Sequence, residues 1–238
     1  MALTTDVLGE DRELARPLDE GRRALARREG IAAVLELPSG MGRARGRRPR
    51  ARGFGLLILA GLLVRRDGRF GAELLGSGDI VRPWEHDGET TVPFDTTWRV
   101  LAPTRLAVLD LAWARRMAPF PEIAGTLIGR AMDRSRRLAV NMAIAQHPRL
   151  EMRLEVLLWH LAERLGRVHT DGVHLTLPVT HETLGNLVAA RRPPPAVRRC
   201  LSRWAAWPSE ASCAVTATGG SCSATHPTTS KACERLRT

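Results

Sequence analysis

The sequence is short of cysteine over most of its length. All four cysteines lie at or after position 200 of the 238 residues, which excludes a cysteine-held iron–sulfur cluster or a disulfide framework in the main body. The spacings between the four do not match the close cysteine pairs of structural zinc sites. The sudden appearance of cysteine near position 200 instead marks a change in the character of the chain.

Long hydrophobic runs are also absent. The most apolar stretch, residues 54–64 (FGLLILAGLLV), is shorter than the roughly 20 residues that a membrane-spanning helix needs. It also lies far from the first residues of the chain, where a secretory signal is found. We therefore expect a cytoplasmic protein with no membrane partner.

Catalytic and metal-binding patterns form the third absence. No Ser/His/Asp order, paired carboxylates or metal-ligand spacing stands out. Four of the seven histidines cluster in sequence, but two of these four flank a turn and one belongs to an amphipathic helix. The four are His160, His169, His174 and His181. We predict that the protein is not an enzyme and that it has no catalytic residue, no bound metal and no cofactor.

Arginine is what the sequence has in excess. Lysine and arginine number 36 against 25 aspartates and glutamates, a formal net charge of +11. A basic chain indicates an anionic partner, with nucleic acid ahead of a membrane surface or an acidic protein. High-GC genomes also encode arginine freely, so the charge alone does not identify the partner. The arginine-rich stretch 43–52 is predicted to be a solvated loop, with a DNA-contacting arm as the alternative.

The first 120 residues divide into two patterns. Residues 1–40 are polar with helically spaced apolar residues, and Pro38-Ser39-Gly40 breaks the pattern. We assign 1–53 to an N-terminal helical and arginine-rich segment. Over 54–120, short apolar runs are separated by turn signals such as Asp67-Gly68. Roughly five to eight short strands at this spacing predict a small β-barrel or jelly roll.

A long helix is predicted next, over residues 121–147. Pro121 suits its first turn, and apolar residues recur at helical spacing along a narrow stripe. Such a stripe on a long helix predicts pairing with a second copy across a dimer axis, and packing on its own barrel is the alternative. The members of the stripe are Ile123, Leu127, Ala131, Leu138, Met142 and Ala145.

Residues 149–204 have the pattern of a helix-turn-helix domain. Leucines at helical spacing predict an amphipathic helix, and the alternation of Val173, Leu175 and Leu177 predicts a short strand after it. Thr180 then has the position of an N-cap for a further helix. Together with the β-rich segment before it, the chain is predicted to have an α+β fold.

The order of these elements resembles the Crp/Fnr family of bacterial transcription regulators. Residues 61–83 (GLLVRRDGRFGAELLGSGDIVRP) resemble the family's β-roll turn, and residues 177–193 (LPVTHETLGNLVAARRP) resemble its helix-turn-helix. In that motif Leu184 and Leu187 would be the apolar contacts, and Ala189-Ala190 would fill a turn that tolerates small side chains. The resemblance implies a β-roll (jelly-roll) sensor domain, a dimerisation helix and a C-terminal winged helix-turn-helix. It also implies a homodimer that binds double-stranded DNA and regulates transcription, with RNA polymerase as a further partner.

The resemblance also implies DNA-binding residues. In the family, the second helix of the motif lies in the major groove with its first residues at base edges. Arg191 and Arg192 occupy that start, where arginine can fork onto guanine. Thr180 and His181 match positions that touch the DNA backbone. The complete implied set is Thr180, His181, Arg191, Arg192, Arg198 and Arg199.

Two departures from the family pattern limit what the resemblance implies, and the first concerns the effector. Cyclic-nucleotide binders in the family carry Gly-Glu-Leu, whose glutamate holds the ribose, and then Arg-Ser/Thr-Ala, whose arginine holds the phosphate. After Gly78-Asp79 this chain has neither: Arg82 precedes proline, and Gly88-Glu89 is followed by two threonines. One isolated arginine is not an anion cage. We therefore do not expect cyclic AMP to be the effector, and the effector-binding residues are unassigned.

The second departure follows Arg192. Pro193-Pro194-Pro195 is incompatible with ordinary helix interior, and residues 205–238 have three cysteines and few aliphatic side chains. We predict an aberrant, disordered tail. One hypothesis is a shift of the reading frame near 193–197, since a shifted frame with GC-rich codons permits a recognition helix and a wing. The alternative is a genuinely encoded tail, on a β-roll sensor or interaction protein that has lost DNA binding.

Overall fold

The chain forms two compact units in the computed structural model. The first contains residues 1–68 and 73–137, and the second contains 69–72 and 138–238. The residues that the structure describes are 3–40, 53–68, 71–82, 96–169, 172–190 and 213–217.

The first unit is built on a six-stranded sheet with helices before and after it. Its strands follow the order β1-β2-β6-β3-β4, and β5 pairs with β3. The elements are β1 (Thr4–Asp6), α1 (Val7–Glu10), α2 (Glu20–Glu29), β2 (Ile31–Leu37), β3 (Gly53–Asp67), β4 (Gly71–Gly76), β5 (Ile80–Val81), β6 (Thr96–Asp110), α3 (Leu111–Met117) and α4 (Pro121–Gln146), the last of which continues into the second unit.

The long strands β3 and β6 are the centre of this sheet. They pair in antiparallel fashion from Gly53–Asp110 to Asp67–Thr96, with register shifts along the way. Gly61 lies at such a shift with φ of +101°, and a Cβ there would approach the carbonyl oxygen of Pro103 to 2.4 Å. Glycine is therefore required where the two backbones come close.

The core of the first unit packs around Trp113, which is completely buried. Its backbone N–H donates to the Asp110 carboxylate, which caps α3, at 2.8 Å. Its indole N–H donates to the carbonyl of Gly30 at 3.2 Å, and Phe54 packs against the ring edge-to-face. These contacts join α3 to the end of α2 and to the start of β3.

The N-terminal prediction needs a correction. The helix is present at Glu20–Glu29, but residues 31–37 form strand β2, which pairs with β6 in the register Ala33 to Val108. Val34 and Leu35 are apolar residues of the range 1–40 for which the sequence predicts a helical pattern, and they belong to this strand. Gly30 ends α2, and pairing with a free strand edge overrides the weak helical pattern that follows. The sheet therefore includes residues before the predicted boundary at 53.

The long helix α4 is present as predicted, with Pro121 in its first turn. The predicted apolar stripe does not form a single buried face. Ile123 and Leu127 are fully buried, whereas Ala131 is exposed and the side chain of Met142 is 66% exposed. The first two residues belong to the core of the first unit, which is the alternative that the sequence left open, and the stripe becomes exposed farther along the helix.

The second unit contains the amphipathic helix and a small sheet. Helix α5 (Leu150–Leu165) buries its leucine face, as predicted, and β7 (Arg167–His169) and β8 (Gly172–Leu177) form an antiparallel hairpin. Helix α6 (His181–Leu187) follows. The observed helices and antiparallel strands confirm the predicted α+β class.

The prediction of an entirely disordered tail is wrong over residues 213–217. Strand β9 (Cys213–Ala217) pairs in antiparallel fashion with β8, with Val215 opposite Leu175. The short Cys-Ala-Val-Thr-Ala run contains two β-branched residues and meets the free edge of the hairpin. The remaining tail residues lie outside the described part of the chain.

Within the described ranges, no helix has both the length and the hydropathy of a membrane-spanning segment. The same residues contain no cluster of three or more His, Cys, Asp or Glu side chains placed to hold a metal ion.

Candidate nucleic-acid interface

Helix α6 begins as the sequence predicts. Thr180 has extended backbone geometry, and its hydroxyl oxygen accepts a hydrogen bond from the backbone N–H of Thr183 at 3.2 Å. This bond satisfies one of the N–H groups that the first turn of a helix leaves without a partner. His181 is the first helical residue and is half-buried beside the exposed Thr180.

The inward face of α6 fixes the helix on its unit. Leu184 is fully buried, Leu187 is 5% exposed and Thr183 is 1% exposed. The two leucines therefore form the buried face of α6, as the sequence predicts. Val179, which precedes the cap, is buried as well, so the chain enters the helix at a defined angle.

The end of α6 is a Schellman turn. The N–H of Ala190 donates to the carbonyl of Gly185 at 2.8 Å, and the N–H of Ala189 donates to the carbonyl of Asn186 at 3.2 Å. Ala189 has φ of +51°, in the left-handed region that normally takes glycine. This turn directs the chain toward residue 191 and is closed by the two small residues noted in the sequence, of which Ala190 is buried.

Arg153 on α5 is a residue of this region that the sequence analysis missed. One terminal nitrogen of its guanidinium donates to the carbonyl of Val188, the C-cap of α6, at 3.2 Å. Its Nε donates to the carbonyl of His147, immediately after α4. No hydropathy pattern reports a long side chain that bonds distant carbonyls, so the sequence held no signal for it.

A small hairpin stands before α6. Leu175 and Leu177 of β8 are buried at 1% exposure, whereas Val168 of β7 is 85% exposed. At the junction with α5, a Cβ on Gly166 would approach the carbonyl oxygen of Ala162 to 2.3 Å, so glycine permits the close passage from helix to strand.

The structure describes only two residues of the predicted DNA-binding set, and the contacts of these two with DNA stay a prediction. Thr180 and His181 lie side by side at the start of α6. Four further residues lie outside the described part of the chain, so their contacts stay a prediction. They are Arg191, Arg192, Arg198 and Arg199.

The β-roll side of α4 is held by buried ion pairs. Arg134 donates two hydrogen bonds to the Glu73 carboxylate at 2.8 and 2.7 Å, and Arg137 donates to Asp79 at 2.5 Å. The side chains of Glu73 and Asp79 are 9% and 5% exposed. Each buried carboxylate therefore has an arginine of α4 as a counter-charge.

Two further pairs precede these along the same helix. Arg130 bonds the Asp11 carboxylate, and this hydrogen bond raises the pKa of the Arg130 guanidinium despite its burial. Near the start of α4, the hydrogen bond from Arg22 lowers the pKa of the Glu122 carboxyl. Since both shifts favour the charged forms, α4 stays ion-paired to the first unit at neutral pH. The residues 83–95, where a cyclic-nucleotide signature would be expected, lie outside the described ranges.

Several solved structures have folds similar to that of this chain. A transcriptional regulator of the CRP/FNR family from Thermus thermophilus is 18% identical over 76% of this chain and 92% of its own, with a TM-score of 0.54. FixK2 from Bradyrhizobium japonicum is 12% identical over 78% and 92%, with a TM-score of 0.54. A mutant of CooA from Carboxydothermus hydrogenoformans is 14% identical over 86% of both chains, with a TM-score of 0.56.

No protein-family model matches this chain, and no curated protein matches it. The similarity is therefore one of structure at low identity. It shows that the chain has the fold of the CRP/FNR regulators, an antiparallel β-roll followed by a helical region, in agreement with the sequence-based resemblance.

Proposed function

We propose that this protein is a homodimeric, sequence-specific DNA-binding transcription regulator with a sensing β-roll. The observation that carries the proposal is the construction of α6: a side-chain cap at Thr180, a buried leucine face, and a Schellman turn at Ala189. These features support a first helix of a helix-turn-helix motif that delivers the chain to its recognition helix at residue 191.

The proposed contacts divide by what they would recognise. Thr180 and His181 would touch the phosphate backbone and fix the register of the protein on the duplex. Arg191 and Arg192 would reach base edges, where bidentate arginine selects guanine. Additional charge on the same segment would come from Arg198 and Arg199, which would contribute salt-dependent affinity.

We place the dimer contact on the exposed face of α4. Ile128 and Met132 are 56% and 64% exposed, and together with Gly125, Ser135 and Ala139 they follow the alternating three- and four-residue spacing of a coiled coil. Two large exposed apolar side chains, with small residues at the other three positions of this spacing, favour a second copy of α4 as the partner.

The sensing role belongs to the β-roll. Its ligand would bias the DNA-binding unit through a coupling between two separate sites. Cyclic AMP is not proposed as that ligand, because the glutamate and arginine signatures that would hold it are missing from the sequence. RNA polymerase would be a partner of the DNA-bound dimer, and the proposed location is the cytoplasm.

The test is DNA binding by the full chain with and without the proposed recognition arginines. Arg191→Ala/Arg192→Ala should reduce affinity for duplex DNA at least about tenfold, because two charged contacts are lost. The matched control is Arg12→Ala/Arg28→Ala, which removes the same charge from exposed positions of the first unit. Equal losses in both variants would indicate nonspecific attraction and would contradict the proposed recognition role.

A second candidate is a β-roll sensor or interaction protein without DNA binding. The observation that favours it is β9, since a tail strand that pairs with β8 gives the encoded C-terminus a place in the small sheet. A chain that shows no affinity for duplex DNA at low salt, while it remains folded and dimeric, would favour this candidate.

A further inference from the structure

The guanidinium of Arg153 donates hydrogen bonds to the C-terminal ends of two helices in the second unit. Arg153 donates from Nε to the carbonyl of His147, whose own N–H bonds back to Ile144 and so ends α4. The same side chain donates from Nη1 to the carbonyl of Val188 at the end of α6, at 3.2 Å. The two carbonyls are far apart in sequence and share a single donor group.

The electrostatics of this arrangement favour a cation. The last carbonyls of a helix have no partner within the helix, and they carry the negative end of its dipole. Arginine supplies several N–H donors in a fixed plane, so it can serve two acceptors that lie in different directions. Among the described residues, no carboxylate forms an ion pair with Arg153, which leaves the two helix ends as its bonding partners.

A further hydrogen bond stabilises the turn between α4 and α5. The backbone N–H of Arg149, the N-cap of α5, donates to Nδ1 of His147 at 3.2 Å. His147 thus accepts a bond through its ring and another through its carbonyl. The end of α4, the start of α5 and the turn after α6 are therefore joined through two residues.

We propose that Arg153 is a positioning residue: a C-cap shared by α4 and α6, which fixes the turn before the recognition helix relative to the end of the dimerisation helix. This inference rests on the proposed function for its biological meaning, but the cap itself is a property of the folded chain. Loss of the cap frees both helix ends together and leaves the rest of α5 intact.

Hydrogen exchange of the full-length chain tests the cap. In Arg153→Met, the amides of His147, Ala189 and Ala190 should exchange at least about fivefold faster, because bonds to a charged donor at both helix ends are lost. The amide of Gly166, bonded to Ala162 at the other end of α5, should be unchanged. Equal acceleration at Gly166 would indicate general destabilisation and would overturn the proposal, as would no change at either helix end.

Two further variants sharpen the result. Arg153→Lys has a single ammonium group in place of the planar fork, so it should restore protection at no more than one of the two helix ends. Arg149→Met removes an exposed arginine at the same corner that has no side-chain capping bond, and it should leave all four amides unchanged. Full restoration by lysine would contradict a role for the planar guanidinium and would assign the cap to positive charge alone.

The salt dependence of DNA binding distinguishes a positioning role of Arg153 from a direct contact of Arg153 with DNA. Arg153→Met should weaken duplex binding while the slope of log affinity against log salt concentration stays the same, whereas loss of a phosphate contact would reduce the slope by about 0.9. A reduced slope would overturn the positioning role. If the parent chain does not bind DNA at all, the proposed function fails, and the exchange experiment still decides whether Arg153 caps both helices.

Discussion

At the scale of single residues, the turn after α6 contains a conformation that its residue does not favour. Ala189 has φ of +51° at the position where helices commonly end in glycine. A Cβ in the left-handed region costs roughly 1–2 kcal/mol. The Schellman hydrogen bonds from Ala189 and Ala190 hold the residue there.

Ala189→Gly should therefore stabilise the chain. We expect the free energy of unfolding to rise by about 0.5–1 kcal/mol, because relief of the backbone strain exceeds the added entropy of the unfolded glycine. Urea unfolding followed by helical circular dichroism measures the change. The control is Ala24→Gly, at an exposed interior position of α2, which should lower stability by about 1 kcal/mol. A loss of stability in Ala189→Gly would contradict the assigned turn.

The residue scale also shows what sequence can and cannot predict. The N-cap role of Thr180 and the burial of Leu184 and Leu187 follow from local spacing, so they were predictable. The left-handed Ala189 was not, because the strain is imposed by the tertiary turn rather than by the residue. The capping role of Arg153 was not predictable for a related reason, since its acceptors are distant backbone carbonyls that no sequence pattern marks.

At the scale of elements, α4 has a buried face and an exposed face. The face toward the first unit carries Ile123 and Leu127 and then the arginines that neutralise Glu73 and Asp79. The exposed face carries the apolar residues of the proposed dimer contact. The predicted stripe contains none of the residues named for that contact, because periodicity reports that a helix is amphipathic and does not distinguish two adjacent partners.

Substitutions in the buried ion pair of Arg134 and Glu73 test how the buried face of α4 is held. Arg134→Met should destabilise the chain by about 3 kcal/mol, because it leaves a buried carboxylate without a counter-charge. The double variant Arg134→Met/Glu73→Met should recover much of that loss. Arg136→Met is the control, since Arg136 and Asp133 form a pair whose side chains are 77% and 56% exposed, and its effect should stay within about 0.5 kcal/mol.

Denaturant unfolding of the four proteins measures these differences. If the double variant were as unstable as Arg134→Met, the loss would come from the other contacts of Arg134, its stem packing and its hydrogen bond to the carbonyl of Ile80, rather than from the unpaired Glu73 carboxylate. That result would contradict the ion-pair account of how α4 is held.

The other face of α4 is tested by a charge at the proposed dimer contact. Met132→Glu should weaken self-association at least about hundredfold, because each copy would place a carboxylate in the apolar contact. Sedimentation equilibrium measures the dissociation constant. Val140→Glu is the matched control: Val140 is also an exposed apolar residue of α4, at 37% exposure, but it lies outside the coiled-coil spacing. Equal effects of the two substitutions would contradict the assigned dimer face.

Elements also show why part of the fold escaped prediction. The β-roll and the helices α4 and α5 were predicted because their patterns are long or sharply punctuated. β2 and β9 were missed because each is a short run whose strand state depends on pairing with a distant strand, β6 or β8. Non-local pairing of this kind leaves little trace in local sequence.

At the scale of the whole molecule, the order along the chain is a β-roll unit, a long helix and the proposed helix-turn-helix unit, and the fold is that of the CRP/FNR regulators. The sequence after Arg192 is the point at which that order is hardest to continue, because Pro193-Pro194-Pro195 opposes a helix. Sequencing of the coding DNA across codons 185–210 tests the reading-frame hypothesis. A missing or additional base there would support it, and an unchanged frame would favour the genuinely encoded tail.

The central claim is sequence-specific DNA recognition by a dimer, and selection from a pool of random DNA duplexes tests it most directly. A two-fold symmetric dimer with one recognition helix per protomer should enrich an inverted repeat whose half-sites lie about one helical turn apart. Binding to that repeat should weaken steeply with salt. Recovery of unselected, random sequence by a folded, dimeric chain would contradict the account.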